Sequence, residues 1–327
     1  MADGIFEASS NVGCCAIEGQ AARLFNDWIP MTSDVMPSQA PGLLSSLLEL
    51  VKFRISVAST FTAAAGYIAF RRGADLGLVT TLLGILLLAM GSCALNEVQE
   101  HEFDAQMERT RNRPIPRGAF TAQNATLIAL ALAASGFLML LLAHNLAAAL
   151  LGALAMLWYN GFYTPLKRVS AFAVVPGSVI GALPPAIGWC AAGGALQDPG
   201  VLALAFVYFI WQVPHFWLLV ALHHDGYEGA GFPTLMTLFG KTRLARLTFT
   251  WTCGTAAACA LLPVFRIVQA KPALGLLLVA ALWLVVTGLP LLRRDLTTRD
   301  FRRAFMNINI FALALTGAVI LDVFLGG

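Results

Sequence analysis

From about residue 43 the sequence is a succession of long apolar stretches separated by short polar links. A helix needs ~20 mostly apolar residues to cross ~30 Å of hydrocarbon. Nine windows meet that length, at roughly 50–70, 76–97, 122–143, 145–163, 171–192, 201–221, 246–266, 272–292 and 305–325. Lipid offers the backbone no hydrogen-bond partners, so each continuous span must be a helix. The spans do not alternate in polarity, which excludes a barrel. Composition agrees. Of 327 residues, 58% are hydrophobic and 12% charged, against about 25% charged in a soluble domain, and mean hydropathy is +0.74. The expected fold is all-α, a polytopic integral membrane protein built as a bundle of about nine transmembrane helices.

Residues 1–42 stand apart. They are mixed and polar, with neither the basic start nor the apolar core of a secretory signal. They are expected to form a flexible cytoplasmic tail, or to reflect a start placed too far upstream of Met31 or Met36. Residues 43–327 form the membrane domain. Basic residues orient it. With the amino terminus inside, the inner links hold Arg109, Arg111, Arg113, Arg117, Lys167, Arg168, Lys241, Arg243, Arg246, Arg293, Arg294, Arg299, Arg302 and Arg303. The outer links hold only Arg71, Arg72, Arg266 and Lys271. The expectation is a multi-pass protein of the cell (inner) membrane with a cytoplasmic amino terminus.

Net charge is +3 and there is no long Lys/Arg run, so nucleic acid is not an expected partner. The six cysteines show no zinc-type C-x-x-C pairing, and those in the spans read as small buried hydrophobes. The largest polar links, 98–121 and 222–245, follow the second and sixth spans on the same side. Function is expected where they face each other.

The first of these links holds the main constellation. Asn96, Glu100 and Asp104 recur every four residues at the end of the second span, so on a helix they share a face. Three oxygen donors at that spacing suit a hard cation such as Mg²⁺, which accepts one or two carboxylates plus substrate phosphates. Arg109 and Arg113 follow and are suited to phosphate oxygens, with Pro114 expected to end the helix. A solvated helix end with acid–arginine pairs is the plainer reading. Against it, five of only 18 acids lie between 97 and 108, on a run that emerges from an apolar span, where ionisable groups mark function.

Asn96-x-x-x-Glu100-x-x-x-Asp104, followed by Met107-Glu108-Arg109-Thr110-Arg111-Asn112-Arg113-Pro114, resembles the first motif of the UbiA superfamily of intramembrane prenyltransferases, most closely its haem O synthase branch. Tyr163-Thr164-Pro165-Leu166-Lys167-Arg168 is similar to a second family stretch, and Gly181–Trp189 to a third that implies a kinked, closely packed helix. Trp211-Gln212-Val213-Pro214-His215-Phe216 resembles the most branch-specific run. The resemblance implies a UbiA-type fold over 43–327 and an active site facing the cytoplasm. It implies transfer of a farnesyl group from farnesyl diphosphate to a vinyl group of haem b.

The site residues implied are Asn96, Glu100, Asp104 and Asp225 for Mg²⁺ and catalysis. Arg109, Arg113, Lys167, Arg168, Lys52 and Arg54 would bind the diphosphate. His215 and Gln212 are candidates for haem, here a substrate, and Tyr159 and Tyr163, beside Trp158 and Phe162, for stabilising a carbocation. Farnesyl diphosphate, haem b and membrane lipid are the expected partners, with a haem A synthase or terminal oxidase assembly factors as further candidates. The second acidic motif departs from the family's pattern. Asp225 matches, but Gly226 and Gly229 stand where a second acid is expected, leaving Glu228, His223 or His224 to compensate. A UbiA-type enzyme acting on an aromatic quinone precursor and, from a different class, a membrane transporter are the competing readings.

Overall fold

The computed structural model describes residues 42–229 and 231–325, without the side chains of Asp225 and Tyr227. The amino-terminal tail expected over 1–42 therefore lies outside the described residues except for Gly42. A short helix, α1 (Leu43–Leu50), leads into α2 (Phe53–Arg71), α3 (Leu76–Asp104) and α4 (Ala122–Ala143). Past His144 and Asn145, α5 (Leu146–Leu157) runs on through a π-helical turn, Trp158–Tyr163, to Leu166. Then come α6 (Val179–Ala191), α7 (Pro199–Leu222), the short α8 (His224–Gly229), α9 (Leu235–Ala258), α10 (Lys271–Gly288) and α11 (Thr298–Leu325). Among the described residues all regular structure is helical.

Polar side chains set the helix starts. Asp75 accepts from the Leu78 N–H at α3, Thr121 from Asn124 at α4, Asn145 from Ala148 at α5 and Thr234 from Thr237 at α9. Each satisfies an N–H that a first helical turn leaves without an acceptor. Asn145 also donates to the Cys190 carbonyl at 2.6 Å, which ties the tight α4–α5 link to α6.

All nine expected spans are helices. Among the described residues, eight are long and apolar enough to cross a membrane. The ninth, α2, carries Ser56, Ser59, Thr60, Thr62 and Gly66, which lower its apolarity but allow close approach. A Cβ on Gly66 would stand 1.8 Å from the Pro185 carbonyl oxygen of α6, and one on Gly188 would stand 2.1 Å from that of Ala63. The two backbones therefore touch, as the Gly181–Trp189 run implied. α6 packs on α2, α5 and α7, while α11 packs on α7, α10 and α2 and closes the bundle. Leu142, Leu157 and Val279 are exposed on the outside, the surface that lipid covers.

Two boundaries correct the sequence reading. α3 stops at Asp104 rather than at Pro114, and 105–120 folds back in turns. Pro114 and Pro116 lack the N–H a continuing helix would use. The Pro114 carbonyl instead accepts from the Ala119 and Phe120 N–H groups. The 222–245 link is partly helical, since α9 begins at Leu235 and is broken at Gly240 (φ 73°) before the span expected at 246.

Candidate functional site

Because α3 stays helical through Asp104, Asn96, Glu100 and Asp104 stand a turn apart on one inward face, and all three are buried. A buried carboxylate without a partner costs several kcal/mol. Each of the three residues meets a cation from a different part of the chain. Lys52 Nζ donates to Asn96 Oδ1 at 2.8 Å. Lys167 Nζ donates to Glu100 Oε2 at 2.8 Å and lies 2.7 Å from Oε1. Arg113 Nη1 donates to Asp104 Oδ2 at 2.5 Å. The sequence reading had all six residues, but not this one-to-one pairing.

Local backbone delivers these cations. Lys52 sits between α1 and α2 in the left-handed region, at φ 46° and ψ 51°, a conformation uncommon for residues other than glycine and frequent at functional sites. Arg113 reaches Asp104 because 105–120 folds back. Burial works against its charge, but the neighbouring Asp104 outweighs this and holds the guanidinium above its ordinary value. Asn96 Nδ2 donates to Glu100 Oε2 and to Thr164 Oγ1, both at 3.1 Å. The Thr164 hydroxyl donates to the Tyr159 carbonyl at 2.9 Å.

The aromatic candidates divide. Tyr159 and Tyr163 stack at 5.9 Å, and Lys167 Nζ lies 5.7 Å from the Tyr163 ring centre. The Tyr163 ring rests on Gly177, where a Cβ would come within 2.4 Å of Cδ2. Trp158 and Phe162 pair with each other at 4.7 Å, and Phe162 is exposed.

Other candidates are turned elsewhere. Arg168 donates to the Gln99 carbonyl at 2.7 Å and lies over the Phe103 ring at 4.8 Å. Arg54 and Arg109 are exposed. The two polar links do face each other, through a Phe103–Phe232 ring contact at 5.5 Å. On the second link, burial and then the Arg109 charge push His223 down to about 4. Glu228 pairs with His224 at 3.1 Å and is exposed, so these two residues hold each other. The Asp225 side chain lies outside the described residues.

His215 lies further into the bundle. Its ring stands 4.9 Å from Trp211, 5.0 Å from Phe305 and 5.5 Å from Phe216. Phe216 in turn is 5.9 Å from Tyr163. His215 Nδ1 is buried and makes no hydrogen bond to a described residue. Gln212 packs against Gly181 of α6.

The sequence reading missed Glu97. It is buried beside Asn96, accepts from the Ile115 N–H at 3.1 Å, and has no described partner at Oε2. It falls one residue off the four-residue stripe, and its only signal was being an acid inside an apolar span. Asn160 was missed as well, and Thr164 was read only as part of the Tyr163–Arg168 stretch, without a role of its own. An apolar groove of about 420 Å³ between α7 and α9, lined by Phe206, Ile210, Thr250, Trp251 and Leu261, contains none of these residues.

A model of the UbiA prenyltransferase family matches residues 57–311. The protoheme IX farnesyltransferase of Geobacter sulfurreducens is 40% identical over 226 residues, 69% of this chain and 83% of that protein. Protoheme IX farnesyltransferase 1 of Shewanella frigidimarina is 29% identical over 290 residues, 87% of this chain and 95% of that one. Among solved structures, a UbiA homolog from Aeropyrum pernix K1 has a TM-score of 0.66 at 17% identity, covering 83% of this chain and 98% of its own. One from Archaeoglobus fulgidus bound to GPP and Mg²⁺ has a TM-score of 0.60 at 15% identity, covering 84% and 99%. At those identities the likeness is one of fold. The family match spans most of the helical bundle and takes in every cation–motif pair except the Lys52 end, and with it this chain belongs to the UbiA prenyltransferase family.

Proposed function

We propose that the protein transfers the farnesyl group of farnesyl diphosphate to a vinyl group of haem b, with addition of water, giving haem O. The observation that carries this is the row of three pairs, each a half-buried cation on a buried motif residue: Lys52–Asn96, Lys167–Glu100 and Arg113–Asp104. They concentrate cations and hard oxygen donors at the end of an apolar bundle, an arrangement suited to an anionic head on an apolar chain. The haem acceptor is supported by the relatives named protoheme IX farnesyltransferase.

Among the described residues no three His, Cys, Asp or Glu side chains form a closed metal cage. The donors present are two carboxylates and an amide oxygen. That set fits Mg²⁺, which takes few protein ligands and completes its shell with substrate phosphate and water. Asn96, Glu100 and Asp104 would hold it on one side and Asp225 on the other. When bound, Mg²⁺ supplies charge neutralisation for the departing diphosphate.

Lys52, Arg113 and Lys167 bind diphosphate oxygens once these displace the motif residues, with Arg54, Arg109 and Arg168 at the rim. The allylic C–O bond breaks and diphosphate leaves with the electron pair. Tyr159 and Tyr163 face the resulting cation, and the apolar bundle keeps water from it. The vinyl terminus forms the new carbon–carbon bond, leaving a cation on the carbon beside the macrocycle. Water adds there and loses a proton. The vinyl group is itself the nucleophile, so no general base is needed for the first bond. His215, with its unpartnered Nδ1, and Gln212 are the candidate haem contacts. The excess of basic residues in alternate links supports a site on the cytoplasmic side of the inner membrane.

The test is release of diphosphate from farnesyl diphosphate by purified protein. Release that requires both Mg²⁺ and haem b supports the reading. Release that proceeds equally with an aromatic quinone precursor and is indifferent to haem b would overturn the acceptor.

A further inference from the structure

The span that ends in Lys167 is not α-helical throughout. Between Trp158 and Tyr163 it widens into a π-helical turn, and the Thr164 N–H reaches back five residues to the Tyr159 carbonyl. Such turns are rare and occur mostly as single bulges within α-helices. This one is pegged by Asn160, which is 4% exposed. Its Oδ1 accepts from the Ser92 hydroxyl at 2.6 Å, and its Nδ2 donates to the Ser92 carbonyl at 3.0 Å and to Gln99 Oε1 at 3.2 Å. Its own carbonyl accepts from Gln99 Nε2 at 3.1 Å. Both amide hydrogens and the amide oxygen are therefore used, all on α3.

The consequence is register. An α-helix turns about 100° per residue, so one extra residue taken up in a π turn rotates everything beyond it by roughly that angle. Thr164 and Lys167 both follow the turn, three residues apart on one face. In the observed register Thr164 accepts from Asn96 and Lys167 pairs with Glu100. Without the turn both would swing away from α3.

We infer that Asn160 is a positioning residue for prenyl transfer: by pegging the π turn to Ser92 and Gln99 it sets the register that delivers Lys167 to Glu100. The inference rests on the diphosphate reading above, in which Lys167 binds the leaving group.

The experiment is calorimetric binding of an unreactive thiolo analogue of farnesyl diphosphate, with Mg²⁺, to the full chain in detergent. Wild type, Asn160→Ala, Lys167→Ala and the double variant are compared. Each single variant is expected to weaken binding about tenfold, and the double to bind no more weakly than Lys167→Ala, since an undelivered lysine has nothing left to lose. A purely structural role for Asn160 would give additive losses and overturn the inference. Gln99→Ala, which removes two of the four bonds, is expected to couple to Lys167→Ala in the same way and serves if Asn160→Ala does not fold. Failure of wild type to bind the analogue overturns the diphosphate reading and this inference with it. Additive losses in a wild type that binds overturn this inference alone.

Discussion

Lys167 Nζ lies within 2.8 Å of both carboxylate oxygens of Glu100, joining the end of the fifth helix to the third. With both groups largely buried, neither partner can be removed without stranding the other's charge. Glu100→Gln keeps the shape and one acceptor but removes the negative charge that, in the proposed mechanism, would hold the metal ion. Steady-state assays of this variant are expected to show a fall in turnover of ~10²–10³, the usual scale for one electrostatic group, with the protein still folded. Turnover within a factor of two of wild type would remove Glu100 from the site.

The seat of Tyr163 gives a second prediction. A Cβ at Gly177 would meet the Tyr163 ring at 2.4 Å, whereas one at Gly161 meets nothing within 4 Å. Gly177→Ala should cost ~1–3 kcal/mol through overpacking and lower turnover by displacing the ring. Gly161→Ala should stay within about 0.5 kcal/mol. Thermal unfolding of the two variants, with turnover alongside, measures the difference.

On the second link, Asp225 and Glu228 are expected to separate. Glu228 is exposed and pairs with His224, so Glu228→Ala should leave turnover within about twofold, as exposed pairs contribute little. Asp225→Ala should abolish it. Comparable losses in both variants would mean that Glu228 shares the metal role.

At the opposite end of the bundle, burial pushes His144 below its ordinary value. Its Nδ1–H donates to the Ala191 carbonyl at 3.1 Å, and Nε2 faces the Thr80 hydroxyl at 2.9 Å. Below pH ~6.5 the unfolded chain takes up a proton at this residue before the folded one does. Its contribution to stability is therefore full above that pH and is lost as pH falls toward the depressed folded value. Unfolding midpoints should drop between pH 7.5 and 5.5, and by less in His144→Gln. An equal drop in both proteins would show that other groups carry the effect.

Much of this site was legible because helical periodicity exposes a stripe. Asn96, Glu100 and Asp104 follow it, and they lie together. The direction of each cation was not legible, because backbone features that residue type does not encode decide it. The left-handed Lys52, the folded-back 105–120 segment and the π turn before Thr164 bring in Lys52, Arg113 and Lys167. Arg168, adjacent to Lys167, goes instead to a carbonyl and a ring. Glu97 and Asn160 escaped notice because each works beside the stripe, through backbone and amide hydrogen bonds. The spans were legible throughout, since lipid leaves an apolar chain of that length one backbone solution.

The most direct test of farnesyl transfer to haem b is mass spectrometry of haems extracted from membranes that express this chain in a host without its own haem O synthase. With farnesyl diphosphate, Mg²⁺ and haem b supplied, the account predicts a haem heavier by one farnesyl group and one hydroxyl group. That species should be absent after EDTA treatment and in Asp104→Asn. Unmodified haem b alongside folded wild-type protein would contradict the account.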